Sequence, residues 1–287
     1  MKCTKAIIAL AGYGGRRVPI TKAIEKCMIP IGNRPIVDYI VDDCIAAGIT
    51  DIIFVVGEQS HQIRTYYGHN QGLEDYLVKH HKLDALDSIS DLKTKARFHF
   101  VLQDSKQPYG TTVPLWMARD YIREDEDFLY LYGDNIFYRE EGGSTIAEFL
   151  RDAEATGAQA AMMVNEVPHE MVSNYGVVAA EERDGHEFFK YIHEKPTKEE
   201  APSNFNNSGC FKLNSAIFEH VERGMTHPGK EQFFTDPLNW FHDDGNDIAV
   251  IRMKAEWLDC GSVEGWLYAN NRVVNSKTAS PESSTLV

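Results

Sequence analysis

No apolar run in the 287 residues approaches the roughly 20 needed to span a bilayer. The opening Met1-Lys2-Cys3-Thr4-Lys5 leads straight into a strand-like segment rather than the apolar stretch of a signal peptide. A soluble, cytoplasmic chain is expected, with no membrane partner. Cysteine is scarce as well: Cys3, Cys27, Cys44, Cys210 and Cys260 are odd in number, scattered and free of any CxxC pair. That argues against a disulfide framework or a zinc knuckle and leaves them as small buried hydrophobes. Positive charge is in short supply, 29 Lys and Arg against 43 Asp and Glu, for a net charge of −14. Nucleic acid and anionic membranes are repelled at long range, so a phosphate-bearing ligand needs a local cluster of cations. The sequence also has no GxxxxGK[ST], HExxH or GxSxG motif, which excludes a P-loop NTPase, a zincin and a nucleophile-elbow hydrolase.

What is present, 43% hydrophobic and 25% charged residues, suits one large globular unit without internal repeats or a clean linker. Residues 6–10 (Ala-Ile-Ile-Ala-Leu) read as a strand buried on both faces, 35–47 as a one-faced helix ended by Gly48, and 51–56 as a second buried strand. Strand, helix, strand implies a right-handed crossover and a parallel sheet. Helical segments at 59–67 and 72–92 form an insertion beside it. A strand at 96–102, a polar turn at 103–110 and a helix from Thr111 or Thr112 to about 123 follow. The strand at 127–132 ends in Gly133-Asp134-Asn135. Beyond it come a helix at 144–156, strands at 158–164, 175–180, 187–193 and 207–213, helices at 215–223 and 233–241, and a strand at 247–253. Ser262 caps a final helix, and the small polar residues of about 275–287 read as a mobile tail. The expected fold is α/β: one Rossmann-like, mixed and mainly parallel sheet flanked by helices.

The densest cationic cluster, Arg16, Arg17, Lys22 and Lys26, follows a Gly-rich turn (Gly12, Gly14, Gly15) after the first strand. Free N–H groups and cations at a parallel strand's carboxyl end suit phosphate. Arg17 stands where a dinucleotide fingerprint wants its third small residue, and no acid follows at the required distance, so that reading fails. A plain tight turn with solvated arginines stays open. Asp134 and Asp259 each follow an apolar strand. Singly, either is a turn former; together, if they meet at the ligand edge of the sheet, they suit Mg²⁺, which binds through one or two carboxylates plus substrate phosphates. Lys195, between a strand and Pro196, is either a solvated lysine or a directed one.

With those residues in view, the chain resembles the sugar-phosphate nucleotidylyltransferases over about residues 5–274, in particular the bacterial-type UTP–glucose-1-phosphate uridylyltransferases. Six separated segments carry the likeness: Gly12 to Pro30 with Arg16 and Lys26; Gln103 with Gly110; Gly133-Asp134-Asn135; Tyr175-Gly176-Val177-Val178; Glu194-Lys195-Pro196; and Trp257-Leu258-Asp259-Cys260-Gly261. Two positions depart from the family's opening signature, Gly15 for threonine and Glu25 for proline. The resemblance implies a nucleotide-binding part of about 1–140 and a small sugar-binding β portion of about 141–274. It implies UTP and glucose 1-phosphate as substrates, Mg²⁺ on Asp134 and Asp259, and a homo-oligomer. It places Leu10, Ala11, Gly12, Gly14, Gly15, Gln103 and Gly110 on the nucleotide. Arg16 and Lys26 fall on the triphosphate, Lys195 on the sugar phosphate, and Tyr175, Gly176 and Glu194 on sugar hydroxyls. A dTTP-dependent thymidylyltransferase, or another sugar-1-phosphate nucleotidylyltransferase, is the alternative within the family. A nucleotide-sugar sensor that kept the fold and lost turnover is the alternative outside enzymes.

Overall fold

The computed structural model describes residues 3–104, 106, 108–225 and 231–278. In chain order these give β1 (Lys5–Ala9), β2 (Pro30–Ile31), β3 (Arg34–Pro35), α1 (Ile36–Ala46), β4 (Asp51–Gly57), α2 (Gln62–Tyr66), α3 (Gln71–Lys79), α4 (Leu83–Ser90), β5 (Arg97–Gln103) and α5 (Val113–Ala118). Then follow β6 (Asp127–Tyr132), β7 (Asn135–Tyr138), α6 (Thr145–Thr156), β8 (Ala160–Glu166), β9 (Gly176–Arg183), β10 (His186–Glu194), β11 (Phe205–Asn214), α7 (Ile217–Met225), α8 (Thr235–Asp243), β12 (Ile248–Arg252), β13 (Glu256–Asp259) and α9 (Val263–Thr278). Among the described residues none of the helices is long and apolar enough to cross a membrane. The helix α9 continues through 275–278, and the rest of the expected tail lies outside the described residues.

The main sheet runs β5-β4-β1-β6-β11-β8-β12-β10-β9. Its first four strands are parallel, and β11 enters antiparallel between β6 and β8. The unbroken apolar runs have the cause the sequence suggested. Side chains alternate across a strand, and both faces here are covered. Ala6, Ile8, Phe54 and Leu131 face a layer built from Val37, Ile40 and Cys44 of α1 and Phe149 of α6. Ile7, Val55, Phe128 and Tyr130 face Leu115 of α5, Val221 of α7 and Phe241 of α8. Each such large side chain taken out of water contributes about 1.5–3 kcal/mol. All five cysteines are buried and unpaired, as their scatter implied.

The segment 72–92 divides into α3 and α4, broken at His81, whose φ of 55° lies in the left-handed region. Of these two helices only Leu77 is buried, so they pack chiefly on each other and leave most of their surface to solvent. Outside the main sheet, β13 pairs antiparallel with β7 in a separate two-stranded ladder. That ladder decides the geometry of the site.

Candidate active site

The carboxyl ends of β1, β5 and β6 open onto a cleft of about 480 Å³. After β1 the chain turns at Gly14, whose φ of 67° a glycine adopts without strain, into a short 3₁₀ turn over Gly15–Arg17. The Thr21 hydroxyl donates to the Gly14 carbonyl (3.0 Å) and ties the loop down. The two arginines part there: Arg16 lines the cleft, whereas Arg17 is 1% exposed and lies outside the lining. Ala11 and Gly12 line the cleft; Gly14 and Gly15 do not. Leu10 is buried, its N–H bonded to the Val55 carbonyl and its side chain beneath Gly133, where an added Cβ would stand 2.0 Å from its Cδ2.

Lys26 reaches into the cleft and pairs with Asp134 (Nζ to Oδ2, 2.8 Å). Its neighbour Glu25 turns the other way. The Glu25 carboxylate accepts hydrogen bonds from the Ser60 hydroxyl and from the N–H groups of His61 (2.8 Å) and Gln62 (2.6 Å), capping the start of α2. The acid beside Lys26 is therefore consumed by the loop before α2. Replacing it by alanine is expected to cost about 1 kcal/mol of stability, the usual worth of an N-cap, with turnover held within a few-fold. A urea melt beside an activity assay checks this; a large loss of turnover at unchanged stability would give Glu25 a direct role. At Gly15 an added Cβ would meet no atom within 4 Å, so that departure has no steric cause.

The two carboxylates come together through the β7–β13 ladder. Asn135 sits opposite Asp259 in its register, and the Cys260 N–H donates to the Asp134 carbonyl (2.9 Å). Asp259 accepts from the Gly261 N–H (2.8 Å) and from the Tyr175 hydroxyl (3.1 Å). A Cβ on Gly261 would lie 2.8 Å from both an Arg16 nitrogen and Asp259 Oδ1. Burial, and then the charge of Asp134, push the Asp259 carboxyl above its ordinary range. Burial alone would raise Asp134 too, but the Lys26 ammonium, with Arg17 and Arg16 beyond it, holds it below. Two half-buried acids, the charge of one opposing ionisation of the other, with hard oxygen donors facing a cleft, fit a divalent cation. Among the described residues no group of three or more His, Cys, Asp or Glu could hold a metal alone, so oxygens from a ligand would complete such a site.

Tyr175, Gly176, Glu194 and Lys195 line the same cleft. Burial pushes the Glu194 carboxyl up against the opposing pull of Lys195. A Cβ on Gly176 would crowd Glu194 Oε2 at 3.0 Å. Lys195 has a φ of 47°, donates its N–H to the Tyr175 carbonyl (3.0 Å), and carries its ammonium 4.9 Å over the Phe233 ring. Gln103 and Gly110 line the remaining side, and the Gln103 side-chain oxygen is buried without a hydrogen-bond partner among the described residues. Sequence reasoning missed Phe233, Trp257 as a cleft wall, and Asn207. Asn207 stands in the polar run Asn206-Asn207-Ser208 at the start of its strand, and nothing local marks it or Phe233.

A mixed α/β sheet whose carboxyl-end cleft faces three cations toward two carboxylates defines a protein that handles phosphate-bearing ligands. Over residues 5–276 the chain matches the nucleotidyl transferase family, and it belongs to that family. A UTP–glucose-1-phosphate uridylyltransferase of Mycoplasma pneumoniae is 31% identical over 94% of this chain and 91% of its own. A UDP-glucose pyrophosphorylase structure complexed with UDP-glucose superposes with a TM-score of 0.83 at 28% identity, covering 95% of this chain and 99% of that one. A UTP-bound UGPase from Acinetobacter baumannii gives a TM-score of 0.83 at 29% identity, covering 94% and 93%.

Proposed function

We propose that this chain transfers a uridylyl group from UTP to glucose 1-phosphate, giving UDP-glucose and pyrophosphate. One observation carries the reading: Asp134, Asp259, Arg16 and Lys26 share a single cleft of about 480 Å³ with Lys195 and Glu194. The names of the relatives and the ligands of the two solved structures support the same substrates.

The reaction is an in-line attack by a phosphate oxygen of glucose 1-phosphate on the α-phosphorus of UTP. The α,β-anhydride bond breaks, its electron pair leaves with pyrophosphate, and no enzyme-bound covalent intermediate is needed. Positioning and neutralisation of charge supply the rate. Arg16 and Lys26 hold the triphosphate and take up charge on the leaving pyrophosphate. Lys26 exchanges Asp134 for phosphate as it does so. Lys195 holds the sugar phosphate, while Glu194, Tyr175 and the Gly176 backbone hold sugar hydroxyls. Gln103 and Gly110 meet the base, and the backbone of Ala11 and Gly12 lies against the nucleotide. Mg²⁺, held by Asp134 and Asp259, would neutralise phosphate oxygens. The cytoplasmic placement expected from the sequence and the homo-oligomeric assembly implied by the resemblance belong to this reading.

Turnover with UTP is expected to exceed that with dTTP by at least tenfold, measured as pyrophosphate release with glucose 1-phosphate and Mg²⁺. A dTTP preference would move the chain to the thymidylyl reaction. Nucleotide binding without pyrophosphate release would make it a sensor. The capping role of Glu25 removes one of the two departures that motivated a sensor.

A further inference from the structure

Asn207 lines the cleft, yet the transfer mechanism gives it no role. Its place is fixed by the sheet. Asn206 of β11 pairs with Val177 of β9 in antiparallel register, so one step on Asn207 stands opposite Gly176, and Gly176 in turn stands opposite Glu194 of β10. Side chains in one row of a sheet share a face. Asn207, Gly176 and Glu194 all line the cleft, whereas Asn206 and Val177, from the next row, are buried. The middle of the row is a bare glycine, so an amide and a carboxylate flank a gap of two strand spacings, about 9.5 Å between the outer backbones. The Asn207 side chain is also held in place. β11 is irregular between Asn207 and Phe211, with Gly209 at a φ of 77°, and the Gly209 N–H donates to Asn207 Oδ1 (2.8 Å). Asn135 Nδ2 donates to the Ser208 carbonyl (2.8 Å) and pins the same bulge. Bulges re-aim side chains next to active sites. With its oxygen taken by a backbone donor, the amide presents Nδ2. One of its two N–H groups serves the Tyr132 hydroxyl, on the same lining, and the second is left for a ligand.

We propose that Asn207 is a specificity-determining residue for the sugar phosphate: its Nδ2 donates to one ring hydroxyl while Glu194 accepts from another, with the pyranose lying over Gly176. The inference rests on the sugar site given to Glu194 and Gly176 under Proposed function, and adds to it a residue and a polarity. A hydroxyl both donates and accepts. The carboxylate takes the donor side of one hydroxyl and the amide takes the acceptor side of the other, so the pair requires two hydroxyls a ring's width apart. A Cβ at Gly176 would stand 3.0 Å from Glu194 Oε2 and fill the floor on which the ring rests. A sugar that lacks the hydroxyl facing Asn207 leaves a desolvated N–H unpaired, which costs more than the bond itself contributes.

The test is kcat/KM for glucose 1-phosphate and its singly deoxygenated and singly deoxyfluorinated analogues, at saturating UTP, in wild type, Asn207→Val and Asn207→Asp. Fluorine accepts hydrogen bonds weakly and donates none, so it reports the polarity of each contact. In wild type the deoxy analogue at one position is expected to fall about tenfold, with fluorine recovering part of the loss. At the position read by Glu194 fluorine recovers none. Asn207→Val is expected to lower kcat/KM for glucose 1-phosphate about tenfold, through KM, and to bring the hydroxyl, deoxy and fluoro forms at the first position within about threefold of one another. Asn207→Asp keeps the oxygen that the Gly209 N–H needs and removes only the donor, so the order at that position reverses and fluorine becomes the worst of the three. The KM for UTP is expected to stay within about threefold throughout, and thermal melts run alongside. The same analogue ranking in all three proteins would overturn the proposal. So would failure of both variants to fold, which would make Asn207 a part of the bulge alone. If wild type releases no pyrophosphate from UTP and glucose 1-phosphate, the reading under Proposed function fails and the inference with it.

Discussion

Asp134→Asn is expected to lower turnover by about 10²–10³-fold with the fold retained. The substitution keeps the volume and deletes only the charge. The backbone carbonyl of Asp134 goes on accepting from the Cys260 N–H, so the β7–β13 junction survives. What is lost is one of two hard anionic donors and the partner that orders Lys26 in the resting cleft. At about 1.4 kcal/mol per tenfold, this corresponds to about 3–4 kcal/mol of transition-state stabilisation. The Asp259 carboxyl, relieved of its neighbour's charge, would move down toward its ordinary range. Pyrophosphate-release kinetics with a thermal melt on the same sample check the result. Activity within tenfold of wild type would refute the metal role, and a collapsed melt would show that the charge serves the fold instead.

Gly110→Ala is expected to cost about 3–5 kcal/mol and to raise the KM for UTP by tenfold or more. The residue has a φ of 126°, a conformation open in practice only to glycine, and forcing alanine into it costs about 1–3 kcal/mol. An added Cβ would also stand 2.4 Å from the Gln232 carbonyl oxygen and 2.5 Å from its nitrogen. These are backbone atoms and cannot swing aside. Relief requires separating two segments joined by Gln232 N–H to the Tyr109 carbonyl (2.8 Å), Thr112 N–H to the Gln232 carbonyl (2.9 Å) and Phe234 N–H to the Thr111 hydroxyl (2.9 Å). Each bond contributes about 0.5–1.5 kcal/mol. The damage would reach the sugar side as well, since Phe233 in the displaced segment carries the Lys195 ammonium. Gly15→Ala is the matched control, with negative φ and open space around the new methyl. Urea midpoints and UTP saturation curves separate the two; equal behaviour would remove the close approach as the reason for glycine at 110.

The α/β architecture, the strand end that carries Asp134, the buried cysteines and the cap at Ser262 were all legible in the sequence, whereas β13, the short strand that carries Asp259, was not. Each legible feature depends on periodicity, turn chemistry or composition within a few residues. So was the cationic loop, because a chain of net charge −14 leaves a phosphate little choice of where to bind. Other features needed the folded chain. Arg16 and Arg17 are adjacent and chemically identical, yet one enters the cleft and the other the core, a division set by the turn at Gly14 and the packing beneath it. Glu25 beside Lys26 read only as a departure from the family's proline until the start of α2 came to meet it. Lys26 finds Asp134 across 108 residues, and Tyr175 finds Asp259 across 84. Pairings at that distance depend on which strands lie side by side, above all on the register of β7 against β13. Local pattern can say that a carboxylate ends a strand. Only tertiary packing, which minimises exposed apolar surface over the whole chain, decides which other carboxylate it will face.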